Sequence, residues 1–174
     1  MFKSTLLIVA AFLLSACASV NVEDYSGNQP ALVAETFFNG KLEAHGILKD
    51  RSGKVIRYFS AEIDAWWEDG VGTLDERFVF DDGERQTRVW KLEKTADNHY
   101  RATAGDVIGD GHMKIAGNSL FLEYVLRVPY DGDTIDLSID DRMYRVSENV
   151  ILNESIMTKF GLEVGELTLV ILKL

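Results

Sequence analysis

The chain has 174 residues, with 28 acidic and 18 basic side chains and a formal charge of −10. A chain this acidic is a poor match for nucleic acid or for anionic lipid headgroups. It has a single cysteine, Cys17, which excludes an intramolecular disulfide, so the fold must stand on its core.

The first segment reads as an address. Lys3 precedes an apolar stretch from Leu6 to Leu14. A membrane-spanning helix needs about 20 apolar residues, so this run is too short and fits a secretory signal peptide. It ends Leu14-Ser15-Ala16-Cys17, which resembles the bacterial lipobox. In signals of that kind the thiol takes a diacylglycerol, the chain is cut before it, and the new amino group is acylated. Small residues let the peptidase approach, and Ser15 and Ala16 supply them. Residues 1–16 are thus expected to be removed and Cys17 to be the lipidation site. Each buried CH₂ adds roughly 0.8 kcal/mol, and more than one acyl chain makes the anchor stable. An aspartate after the cysteine resembles an inner-membrane retention signal. Ala18 stands there instead, which implies the outer membrane, on its periplasmic face. Losing Lys3 takes the charge from −10 to −11 over 158 remaining residues, one domain's worth.

Residues 17–29 are small and polar and read as a lipid-anchored tether. A short helix is predicted over 30–38, between Pro30 and Asn39-Gly40, because proline opens helices and glycine closes them.

Residues 30–174 form the predicted domain, and beyond Gly40 it reads as strands. Alternating segments are separated by Asp69-Gly70, Asp82-Gly83, Asp110-Gly111, Gly117-Asn118 and Asp131-Gly132, residues that tolerate the positive φ of tight hairpins. Strands are predicted over 41–49, 54–67, 72–80, 86–94, 98–104, 107–116, 119–129, 134–146, 149–157 and 166–174. Ten successive hairpin-connected strands imply an all-β antiparallel up-and-down barrel of the lipocalin-like kind, since closure removes exposed edges. A two-sheet sandwich is the alternative. The apolar end, Leu167 to Leu174, is too short for a helical span and reads as a closing strand. A transmembrane β-barrel would need aromatic girdles, and these are absent in any regular pattern.

The stretch from Asp106 to Lys173 resembles the proteobacterial lipoproteins classed as domain of unknown function 3833. It carries Gly117-Asn118, Tyr124, Leu126, Pro129, Gly132, Asp140-Asp141-Arg142-Met143 and Lys159-Phe160-Gly161-Leu162-Glu163-Val164-Gly165-Glu166. The segments from Phe37 to Phe59 and from Phe80 to Trp90 look like the same family. Arg142 departs from the expected tryptophan. The resemblance implies an outer-membrane-associated lipoprotein with a lipocalin-like barrel. It supplies no catalytic residue.

Familiar catalytic and metal-binding motifs are missing. There is no G-x-S-x-G elbow and no H-E-x-x-H. His45, His99 and His112 fall on separate predicted strands or strand ends. Asp131-Gly132-Asp133 lacks the glycine and glutamate of a calcium loop, and no helix follows Gly105 to Gly111 to hold a phosphate. No cofactor or metal is expected.

Strand alternation is more informative, because side chains change face at every residue. In 54–67 the apolar phase runs Val55, Phe59, Ala61, Ile63, Ala65, Trp67, with Arg57 in phase. In 72–80 it is Leu74, Phe78 and Phe80, with Glu76. Trp90 and Leu92 share their phase with Arg88, and Ile135, Leu137, Ile139 and Met143 share theirs with Asp141. Tyr124 lies in the apolar phase of 119–129. Arg57, Glu76, Arg88 and Asp141 should therefore point inward and pair, since an unpartnered buried charge costs several kcal/mol. They form a candidate polar floor. Arginine there would orient the carboxylate or phosphate of an amphiphile, with Trp67, Phe78, Trp90 and Tyr124 along its tail. The expected function is an anchored binder of a lipid-like ligand. The alternatives are a filled barrel acting as an interaction module and, third, an enzyme using Glu76 or Asp141. An enzyme would require a carboxyl pKa raised by burial.

Overall fold

A computed structural model describes residues 20–174. Alternation of apolar and polar residues beyond Gly40 produces ten antiparallel strands that close on themselves. They are β1 (Gly40–Asp50), β2 (Val55–Glu68), β3 (Val71–Phe80), β4 (Arg85–Ala96), β5 (His99–Thr103), β6 (Gly111–Ala116), β7 (Ser119–Tyr130), β8 (Asp133–Arg145), β9 (Val150–Lys159) and β10 (Leu162–Lys173). Each strand pairs with its sequence neighbours, and β1 pairs with β10 to complete the ring. The sandwich alternative is thereby replaced by a closed barrel with no free edge.

Register shifts lie near strand ends, at Leu48/Lys49, Lys94/Ala96 and Glu163/Gly165. None interrupts β2–β3, β3–β4, β7–β8 or β8–β9. The inward phase therefore runs unbroken through the middle of the wall. The outer face carries ion pairs such as Arg77–Asp64 at 2.7 Å, Arg127–Asp136 at 2.8 Å and Arg142–Asp140 at 2.7 Å. That is the reverse of an apolar, lipid-facing band. Among the described residues no helix is long and apolar enough to cross a membrane.

One end of the barrel is plugged. The helix predicted over 30–38 is a single turn, α1 (Ala34–Phe37). Pro30 lies before it, and the residues between stay extended. Phe37 and Phe38 are buried at 1% and 3% exposure, in one cluster with Leu42, Ile63, Tyr100 and Ile115. Ala44, Ala61, Ala65 and Ala102 belong to the same cluster, and their small side chains leave room for the two rings. The plug is pinned from the barrel. The Tyr100 hydroxyl donates to Glu35 at 2.7 Å, and Lys173 donates to the carbonyls of Thr36 and Phe37.

The segment read as a tether is largely structured. Val22–Tyr25 form a 3-10 turn with Val22 buried. The Tyr25 ring packs on Phe121 and Tyr144, with centroids 5.9 and 5.5 Å apart. Gly117, at φ +54°, allows this docking. A Cβ there would lie 1.8 Å from the Tyr25 carbonyl oxygen. Two strand boundaries also move. The strand expected over 107–116 begins at Gly111, because residues 104–110 cross the rim as a turn held to β7 by Ile108 and Arg127 backbone bonds. The last strand begins at Leu162, four residues before the predicted start, because the β9–β10 hairpin turns at Phe160-Gly161.

Candidate functional site

Above the plug the barrel is hollow. A cavity of about 850 Å³ occupies its open half, within the range of roughly 300–1,000 Å³ typical of small-ligand sites. The expectation of a filled barrel does not hold. The walls are mostly apolar, with Phe59, Phe78 and Phe80 in mutual edge and stacked contact on one side. Leu126, Leu137 and Ile139 form a second apolar cluster opposite the plug's own core. The hairpin turns at 51–54, 81–84, 131–132 and 160–161, and the 104–110 connection, surround the mouth.

Seven of the eight residues singled out in the sequence line this cavity: Arg57, Glu76, Phe78, Arg88, Trp90, Tyr124 and Asp141. Trp67 does not. Its indole N–H donates to the Phe38 carbonyl at 2.9 Å, and its ring lies over Gly72, where a Cβ would sit 2.7 Å from it. Trp67 therefore belongs to the plug, because its position near the end of β2 sets it below the hollow.

The four inward charges do not neutralise one another as expected. Arg57 sits at the rim, two strand positions from the start of β2. Its guanidinium lies 3.7 Å over the Phe80 ring and pairs with Glu84 at 2.7 Å and Asp82 at 3.1 Å. Arg88 faces Glu76 across the β3–β4 ladder, yet its ion pair is with Asp106. Nε donates at 3.1 and 3.0 Å and Nη2 at 2.8 Å. Both arginines are thus paired with protein carboxylates rather than with Glu76 or Asp141.

Glu76 and Asp141 remain. Asp141 is 6% exposed. Its Oδ1 accepts from the Ser155 hydroxyl at 2.8 Å and from the Asn153 amide. Burial outweighs these bonds and pushes its pKa up from an ordinary 3.8 to about 6. Glu76 makes no ion pair among the described residues. Burial raises it from 4.5 to about 7, against the pull of Arg88, and the charges of Asp141 and Asp106 raise it further. What accessible surface Glu76 keeps is cavity wall, so it is enclosed by protein while facing open space. Tyr124 lies between the polar and apolar parts. Its ring meets Trp90 edge-on at 5.2 Å, and burial pushes its hydroxyl pKa far up, keeping it neutral.

Asp106, Asn153 and Ser155 are site residues that the alternation did not identify. On β9 the phase Ile151, Asn153, Ser155, Met157 faces in, whereas Leu152, at 46% exposure, faces out. Both phases mix apolar and polar residues, so pattern alone could not choose. Asp106 lies in the rim turn, outside any alternation. Among the described residues no group of three His, Cys, Asp or Glu side chains could hold a metal. The three histidines do not line the cavity.

The sequence matches a family model, that of the protein of unknown function DUF3833, over residues 11–173. The chain belongs to that family. No functionally curated protein matches it. Among solved structures, the S-type phycobiliprotein lyase CPES from Guillardia theta is similar with a TM-score of 0.57 at 13% identity, covering 87% of this chain and 96% of that one. A redesigned β-barrel, mFAP1, bound to DFHBI, covers 80% of this chain and 98% of its own at 12% identity and a TM-score of 0.43. At these identities the lyase shares the fold, and the DUF3833 member is a lipocalin-like barrel on that ground.

Proposed function

We propose that this DUF3833 protein is a lipid-anchored binder of one hydrophobic small molecule, held through Cys17 at the periplasmic face of the bacterial outer membrane. The observation that carries the binding reading is the cavity. It is closed at one end by Phe37 and Phe38, open at the other, and walled mainly by apolar side chains around a few polar groups. Stability alone gains nothing from such a void, because an empty apolar cavity forfeits packing contacts.

The lipobox-like segment supports the anchor. The docked segment then sets the barrel's orientation. Val22–Tyr25 pack beside Gly117, at the plugged end. An extended chain spans at most about 3.6 Å per residue, so Cys17 stays within about 18 Å of Val22. A lipid on Cys17 holds the plugged end on the membrane side and leaves the mouth turned away from it.

The test is native mass spectrometry of a chain beginning at residue 18, purified without added lipid. A small-molecule adduct, or one formed on incubation with extracted envelope lipids, is expected. A clean protein mass under both conditions would overturn the binding reading. Globomycin-type inhibition of signal cleavage, read as a mass shift of the cellular protein, tests the anchor. An unshifted mass would remove it.

A further inference from the structure

Two arginines point into the cavity, and each is already paired with an acid. Arg57 is held by Asp82 and Glu84, and Arg88 by Asp106. Their positive charge is thus already balanced by protein carboxylates. Two carboxyls that line the same cavity make no ion pair among the described residues. Both bonds to Asp141 end on Oδ1, and Oδ2 accepts none from the described residues. Glu76 faces the same space from β3 without an ion pair, near enough to feel the charge of Asp141. The rings around them are Trp90, Tyr124 and Phe78. Aromatic faces attract cations and do nothing for anions.

We propose that the cavity takes hydrophobic molecules whose polar end is a protonated amine, with the ammonium seated between Glu76 and Asp141 and against the Trp90 and Tyr124 rings. This inference rests on the binding reading above and names its ligand class. Carboxylates buried without a cation are costly, and a ligand cation removes that cost. A carboxylate or phosphate head would instead add a third negative charge beside two buried carboxyls. An N–H-bearing head also supplies donors to Oδ2 of Asp141 and to the Glu76 carboxylate, as charge-assisted hydrogen bonds.

The test compares three amphiphiles of equal chain length by calorimetry at pH 7.5: dodecylamine, dodecanol and dodecanoate. The protein is the chain from residue 18, which holds every described residue and a ring of strands with no unpaired edge. Dodecylamine is expected to bind at least tenfold tighter than dodecanoate and than dodecanol. In a Glu76→Gln/Asp141→Asn variant that advantage should fall to within threefold. The amides are near-isosteric and remove buried charge, so the variant should melt no lower than the parent. Dodecanoate binding as tightly as the amine would overturn the proposal while leaving the binding reading intact. An amine preference that survives the double substitution would also overturn it, by placing the preference on the acidic outer surface. Failure of all three to bind would overturn both.

Discussion

Arg88 and Glu76 are cross-strand partners, yet Arg88 gives its ion pair to Asp106. A β3–β4 pair of opposite charges would ordinarily satisfy itself. Here the rim turn delivers Asp106 to the guanidinium, and Glu76 is left as an enclosed carboxyl. Arg88→Leu should therefore have two effects. Asp106 loses its partner, at a cost of about 1 kcal/mol because the pair is partly exposed. Glu76 loses the one charge that lowers its pKa, which should climb above about 7. Carboxyl-carbon NMR titration of labelled Glu76 reads the second effect. A fall in that pKa would show that Arg88 does not reach it.

Stability should depend on pH in a defined direction. Glu76 and Asp141 titrate higher in the folded chain, at about 7 and about 6, than at their ordinary 4.5 and 3.8. Between those limits the folded state binds more protons than the unfolded one, so stability falls as pH rises. The cost is absent below the ordinary values and complete above pH 7. Asp50, Asp64, Asp82, Glu84, Asp136 and Glu166 are shifted down, chiefly by hydrogen bonds. Their contribution is present above the ordinary carboxylate range and is lost as pH falls through it. The melting temperature should peak near pH 5 and drop by about 5 °C or more towards pH 8. Glu76→Gln should flatten the alkaline limb in a calorimetric pH series.

Filling the cavity should separate binding from folding. Leu126 lies on its wall at 9% exposure. In Leu126→Trp the larger ring has open space to enter, so the usual overpacking cost of about 1–3 kcal/mol should be largely avoided. The expected result is an unchanged melting temperature to within a few degrees and at least tenfold weaker binding of dodecylamine.

The plug is a stability element. Phe38→Ala removes a ring buried at 3% exposure. Losses for such truncations run to about 3–5 kcal/mol. Urea unfolding should show a loss in that range.

Gly117→Ala should release the N-terminal segment. The added Cβ meets the Tyr25 carbonyl oxygen at 1.8 Å, and φ is +54°. Backbone cannot yield as a flexible side chain can, so residues 20–29 should undock. Limited proteolysis should then cleave within 20–29 while the barrel stays intact, at a cost of about 1–3 kcal/mol in overall stability.

How much of this was legible in advance follows from the range over which each feature is decided. Alternation is a property of adjacent residues, because successive Cβ atoms in an extended chain point to opposite faces. The barrel class, the number of strands and the inward direction of Arg57, Glu76, Arg88 and Asp141 were therefore all readable. So was the turn chemistry at Asp69-Gly70 and Asp131-Gly132, where Asp69 and Asp131 adopt φ of 51° and 50°. Depth and partnership were not readable. Trp67 shares its phase with Phe59 but packs into the plug below the hollow, and phase carries no information about height along the barrel. Arg88 finds its partner 18 residues away in a turn, and Asp141 finds Asn153 12 residues away on the next strand. The stagger of strands around a closed ring and the path of the rim connections set those meetings. Sequence alone thus determined the inward phase of the clearly alternating strands, and left that of β9 open. The tertiary structure decided that two acids are left there without an ion pair, because only the assembled ring fixes which opposite charges come within reach.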